Sequence, residues 1–345
     1  MYHLKPQLLL IAACAAIGSV SPAFAFGGNF TDNSDDRYIV DPDSPAFMSD
    51  TDQTYADPNQ NFVLRGSVGI ASIVAREKVF AQTSGERLLS LLVWDSTAPI
   101  VSGDAKFRFG DAWTLRGHID AAMSGDSTMT DYDWIAPYAT GTGMNDWSHR
   151  SISSNTSLDW YLNGDIAIGR DLPISDALTL NVNGGFKYTD VKWTAVGGNY
   201  IYSTGGFRNS VGAFPNIPGI DYRMQLPTAF LGLDANVKDG PWSLDTTTKA
   251  GVTVFASDVD NHRLRNIRFV DQLSFSQVYS INAKLGYDFN DHLTAFLEGS
   301  YEKMFAVHGN EDAYDAAAGT VTHYRNAIGA DLDVATLKAG LKGQF

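Results

Sequence analysis

The chain has 345 residues, with 39 acidic against 25 basic side chains and a formal net charge of −14. That balance argues against nucleic acid as a partner and suits cationic ones. With Cys14 as the single cysteine there is no disulfide framework, so packing or backbone pairing must hold the fold.

In chain order, residues 1–25 read as a secretory signal peptide. Lys5 precedes an apolar stretch from Leu8 to Val20, and "AFA" supplies small residues for cleavage after Ala25. A lipoprotein signal at Cys14 fits less well, because the apolar stretch before it is short and continues beyond it. Residues 26–60 are rich in aspartate and proline and are expected to be disordered, since they offer little apolar surface to offset ordering entropy. No later segment approaches 18 consecutive apolar residues, so no transmembrane helix is predicted.

From Asn61 the hydrophobic period becomes two, the mark of a strand with unlike faces. Leu158, Trp160, Leu162, Ile166 and Ile168 alternate with Asp159, Tyr161, Asn163 and Asp165. Leu178, Leu180 and Val182 alternate with Thr179, Asn181 and Asn183, and Ile281, Ala283 and Leu285 with Asn282 and Lys284. Short connections ("FGDAW", "KDGPW", "FNDHL", and the modest "GRDLPISDA") alternate with long ones at 124–154, 195–222, 257–270 and 304–323; "QTSGER" at 82–87 is a shorter turn on the long-loop side. This asymmetry is expected of an outer-membrane barrel with short periplasmic turns. The reading is all-β: a ten-stranded antiparallel transmembrane β-barrel. Its strands are 61–81, 88–109, 112–124, 155–169, 177–194, 223–238, 242–256, 271–289, 292–303 and 324–345. Several exceed the roughly 9–11 residues that cross a bilayer, so their upper parts should stand above the outer membrane. The last strand places Leu337, Ala339, Leu341 and Phe345 on one face, in keeping with a barrel's final strand.

Candidate chemistry falls at the strand tops. In "TDYDW", Asp131 and Asp133 are two positions apart and share a face of an extended segment. Two close carboxylates cannot both ionise freely, so such a pair can hold a proton; a hydrated acidic loop is the plainer reading. In "SDVDNH", Asp258, Asp260 and His262 share a face in the same way. An acid beside histidine fixes its tautomer and makes it a general base. The same residues could be metal ligands or a polar loop, although the other histidines beyond the predicted signal peptide, His118, His149, His292, His308 and His323, are scattered. Glu77, in "VAREKVF", reads on its own as a charge partner of Arg76 or Lys78.

"TDYDW" and "SDVDNH", in that order at the tops of such a barrel, resemble the omptin family of outer-membrane proteases. "GGNYIYSTGGFRNSVGAFPN" at 197–216 and "AREKVF" carry the likeness further, which covers roughly residue 61 to the end. The resemblance implies a protease domain over 61–345. A water held between Asp131/Asp133 and the Asp260/His262 dyad would be the nucleophile, with no metal. Glu77 and Asp258 match the acidic base of a specificity pocket, implying cleavage of cationic peptides or proteins beside Arg or Lys. Lipopolysaccharide is the activating lipid such a protein would use, and Arg208 matches one of its basic contacts. Phe186, Asp190 and Val270 stand where a tyrosine, an arginine and a lysine are expected. The fourth loop, "HRLRNIRFVDQ", is shorter than the family pattern, and Arg263 and Arg265 within it are expected self-cleavage sites. The chain is expected to be a monomer in the outer membrane with its site outward. The alternatives are an adhesin or surface receptor with little proteolysis, and a metal-dependent hydrolase.

Overall fold

The computed structural model describes residues 61–81, 87–139, 141 and 143–345. The predicted signal peptide, the acidic lead-in and most of the 82–87 turn lie outside the described residues.

The described chain is divided into fifteen strands and one short 3-10 turn. They are β1 (Phe62–Phe80), β2 (Leu88–Phe109), β3 (Trp113–Ala122), β4 (Asp126–Asp133), β5 (His149–Ser175), β6 (Leu178–Val196), β7 (Asn199–Tyr202) and β8 (Ser210–Ala213). β9 (Pro218–Asp239), β10 (Trp242–Thr253), β11 (Ser257–His262), β12 (Ile267–Leu273), β13 (Gln277–Asn290), β14 (Leu293–Asp315) and β15 (Thr320–Gln344) follow. All pairings are antiparallel. β1 pairs with β2 on one side and with β15 on the other, which closes the sheet into a barrel.

The structure divides the wall more finely than the ten strands of the sequence reading. β3 and β4 both lie between β2 and β5, one above the other. They part at Ser124, whose φ is 95°, and at Gly125, where a Cβ would sit 2.6 Å from that of Ala98. β10 and β11 likewise share β9 and part around Phe255, whose φ is 54°. β12 and β13 share β14. Residues expected in long loops therefore continue the wall upward: β4, β11, β12 and the upper half of β14 are all strand. Above the bilayer a strand has water on its outer face, so no apolar alternation marks it in the sequence. Part of the 195–222 connection also folds, with β7 on β5 and β8 on β7 as an added hairpin.

Around the lower barrel Val68, Ile70, Val101, Ile119, Ile166, Leu231, Leu285, Leu297 and Leu341 are exposed, forming the outward apolar belt that lipid requires. The inner face is polar and paired. Lys338 Nζ lies 2.9 Å from Asp120 Oδ1 and 3.1 Å from Glu298 Oε1, and Lys249 Nζ lies 2.5 Å from Asp165 Oδ2. One expected face is out of phase: a bulge between Leu158 and Trp160 turns Leu158 inward, whereas Leu162, Ile166 and Ile168 face out.

Above these ion pairs lies an apolar layer. Trp94, Trp193 and Tyr222 stack with centroids 5.6–6.1 Å apart, packed with Ile73, Met224 and Ile328. Trp193 Nε1 donates to Ser96 Oγ at 2.7 Å, which satisfies its buried donor. Register places Glu77 two residues above Ala75, the partner of Trp94, and Asp260 opposite Tyr222. The layer thus floors a separate upper cleft.

Candidate active site

Two strands carry the candidate acids and base. On β4, Asp133 stands opposite Ser90 and Asp131 opposite Leu92 of β2. Ser90 Oγ donates to Asp131 Oδ1 at 3.3 Å. On β11, Asp258, Asp260 and His262 climb one face of the strand, with Asp258 lowest. Asp131, Asp133, Asp260, His262 and Glu77 line one cleft of about 390 Å³. Asp258 is buried beneath them, 1% exposed. The structure therefore gathers every sequence-predicted catalytic residue around one space.

His262 Nε2 and Asp260 Oδ2 are 2.6 Å apart. Burial opposes the imidazolium, but the charge and hydrogen bond of Asp260 outweigh it and raise the His262 pKa above its ordinary value. The ring meets Phe269 edge-on, with centroids 5.3 Å apart and planes at 83°. Arg265 NH1 approaches His262 Nδ1 at 3.3 Å. A guanidinium only donates, so in this contact Nδ1 carries the lone pair and Nε2 the proton shared with Asp260. The basic nitrogen is thus the one turned away from the dyad.

Burial, then the neighbouring charge of Asp133, pushes Asp131 well above the carboxylate range. Burial raises Asp133 too. A pair of this kind can hold a proton between its two carboxyl groups. Lower in the cleft, burial is the first cause of a raised pKa at Glu77, with the charges of Asp260 and Asp258 next. Asp258 is pushed up to about 7, again chiefly by burial.

Arg208 sits apart from this group, in the β7–β8 turn with a φ of 52°. Its Nε and NH2 donate to the Trp147 carbonyl at 3.0 and 2.7 Å and its NH2 to that of Asn145, while its guanidinium lies 3.4 Å over the Trp147 ring. Phe186 is exposed on the outer wall. Asp190 accepts from Arg223 Nε at 2.9 Å and from Trp160 Nε1 at 3.0 Å. Val270 pairs across to Val259. Arg263 and Arg265 form the 3-10 turn between β11 and β12, and Arg263 is bonded to Asp221. Among the described residues no group of three or more His, Cys, Asp or Glu side chains is arranged to hold a metal ion.

Sequence reasoning passed over four residues of this region: Ser90, Arg265 as a neighbour of the base, and the buried acids Asp271 and Glu311. Arg265 reaches the base through the tight turn that follows His262, whereas Ser90, Asp271 and Glu311 are brought in only by the pairing of distant strands.

The family model for the Omptin family matches residues 58–345. The chain belongs to the omptin family. It is 28% identical over 290 residues to the outer membrane protease OmpP of Escherichia coli strain K12, an alignment covering 81% of this chain and 89% of that one. It is 26% identical over 289 residues to the plasminogen activator of Yersinia pestis, covering 83% and 90%. The crystal structure of the outer membrane protease OmpT from Escherichia coli superposes with a TM-score of 0.77 at 25% identity, over 83% of this chain and 97% of that chain. This omptin is accordingly an outer-membrane β-barrel protease.

Proposed function

We propose that this omptin is an endopeptidase that hydrolyses bonds beside Arg or Lys with a water activated by Asp260 and His262. The observation that supports this most is the cleft itself, which gathers a carboxylate pair, an Asp–His dyad and a buried acidic floor around one space. Asp260 holds Nε2–H and leaves Nδ1 as the base. Arg265 must swing aside for a water to reach that nitrogen. The water's proton passes to Nδ1 as its oxygen bonds to the scissile carbonyl carbon. The imidazolium then returns a proton to the leaving amine as the C–N bond breaks, so base becomes acid within one cycle. Asp131 and Asp133, sharing a proton, bind and polarise the water on the opposite side. Glu77 and Asp258 take the cationic side chain, and the acidic chain attracts such substrates over distance.

Arg263 and Arg265 are proposed as self-cleavage sites. Both lie in a folded turn, so cutting there requires the turn to open; a loop intact after prolonged incubation of active enzyme counts against it. The proposal also assigns an activating lipid, lipopolysaccharide, to Arg208. Equal activity of the refolded protein and of Arg208→Ala with and without that lipid contradicts the assignment.

The test is cleavage of a peptide library by the refolded barrel, alongside Asp131→Asn, Asp133→Asn, Asp260→Asn and His262→Ala. The parent should cut beside Arg and Lys and the four variants should lose most of that cutting. Cuts scattered without regard to basic residues would refute the specificity, and variants that cut like the parent would refute the mechanism.

A further inference from the structure

The upper wall is incomplete at one place, beside β8. β7 continues the line of β6 along β5, since Asn155 pairs with Val196 and, further up, Ile152 with Asn199. β8 lies on β7 as β9 lies on β6, and the chain passes from β8 through 214–217 into β9. β8 is therefore the upward extension of β9. The neighbour of β9 on its other side is β11, which ends at His262 opposite Ile220. Among the described residues no strand pairs with β8 on that side.

The backbone groups of this edge point away from the hairpin. In an antiparallel pair, residues alternate between bonding the partner strand and turning their N–H and C=O away from it. Phe214 N donates to Gly198 O at 2.8 Å, so Gly212 and Ser210 follow in bonding β7. The N–H and C=O of Val211 and Ala213 then face the unfilled side. Sheets usually guard such an edge with charge, proline or a covering segment. Ser210–Ala213 reads "SVGA", with neither charge nor proline, and Val211 is 74% exposed. An unguarded edge is a template for another extended chain.

We propose that the free edge of β8 binds the main chain of the substrate as an added antiparallel strand. The inference rests on the proteolytic reading of the cleft and adds a backbone-recognition surface to it. Two observations favour substrate over a second copy of the chain as the occupant. Tyr202 of β7 and Phe214, at the foot of β8, line the same cleft as Asp131, Asp133 and His262. His262 also ends the strand immediately below the open place, so a chain lying on the edge leads down to the base.

β8 runs downward into β9, so an antiparallel partner runs upward from His262. The residues that follow the cleaved bond therefore take the edge, and those before it stay in the cleft. Val211 and Ala213 each present one N–H and one C=O, all of the main chain. Recognition here depends on an extended substrate backbone and is indifferent to side-chain identity. A folded segment after the cleavage point, its own backbone groups already paired, cannot make these bonds.

The test uses two internally quenched peptides that share one basic cleavage site. One ends close after the site, and the other continues with a strand's length of neutral residues. The full-length refolded protein, Val211→Pro, Ala213→Pro and the double variant are each measured. Proline there deletes an outward N–H and leaves the bonds to β7 in place. The parent should favour the longer peptide by about tenfold in kcat/KM, through KM, as expected of a few added hydrogen bonds. Each proline should lower that advantage and the two together should bring it near one. Val211→Ala, which keeps the N–H, should retain it. No advantage in the parent, or an advantage unmoved by proline in variants with parental β-sheet circular dichroism, overturns the inference. So does a dimer that the proline variants dissolve, since the edge then serves a second copy. Testing the single variants separately keeps the result readable where the double variant does not fold. Should the parent cleave neither peptide, the proteolytic reading falls by itself. Infrared spectra of the longer peptide with isotope-labelled carbonyls then decide on the edge. A labelled band moved to the β-sheet position by the parent but not by the proline variants supports it, and no movement overturns it.

Discussion

The lower and upper halves of this barrel treat buried charge in opposite ways. In the lower lumen each acid is matched: Asp120 and Glu298 share Lys338, Asp165 holds Lys249, Asp171 takes Lys106 and Arg108, and Asp234 takes Arg116. Above the aromatic layer the balance is abandoned. Glu77, Asp258 and Asp271 are as deeply buried, yet burial and the charges of neighbouring acids push their pKa values up. Pairing offsets the desolvation of charges in a polar lumen packed inside a lipid-facing wall. Unpaired ones are a liability that only a ligand or a reaction redeems. The two halves use the same residue types, and pairing alone separates structure from chemistry.

Three substitutions press on that contrast, taken from the largest expected effect to the smallest. Neutralising the upper carboxylate pair by Asp131→Asn with Asp133→Asn should lower kcat/KM by about a thousand-fold, the scale of a lost acid–base group, while the unfolding midpoint stays near the parent's. A large fall in stability with little fall in rate would place this pair with the structural acids. Lys338→Met should do the reverse. It leaves Asp120 with His118 and Glu298 with Lys284 as their remaining partners and should cost about 3 kcal/mol in a denaturant titration, the low end for a broken buried pair, with the folded fraction still active. The smallest effect belongs to Arg265→Gln. The Arg265 charge lowers the His262 pKa against the stronger pull of Asp260. A general base works when neutral, so activity falls as pH drops through that pKa. Removing Arg265 raises the pKa further and should move the acid limb of kcat/KM to higher pH; a limb displaced to lower pH contradicts the contact.

How much of this could be read in the sequence differs between the halves for a physical reason. In the belt, lipid outside and polar lumen inside force strict alternation, so Leu162, Ile166 and Ile168 announced their face. Higher up, both sides of the wall meet water or the cleft, and β4 and β11 looked like loop. The paired motifs were still visible because residues i and i+2 share a face in any extended chain, whether loop or strand. Asp271 in "VDQL" and Glu311 in "GNED" carry no such local signature. Their meaning comes from register, which sets residues 258, 271 and 311 in one row across three strands. The bulge at Leu158 was hidden likewise, since one added residue reverses the facing without altering composition.

The central claim is that Asp131, Asp133, Asp260 and His262 form a water-activating hydrolytic site. Its most direct test is kcat/KM of the refolded His262→Ala protein on a dibasic fluorogenic peptide, measured beside the parent at one pH. The account predicts a fall of about a thousand-fold or more with the barrel intact by circular dichroism. Cleavage at the parental rate would contradict it.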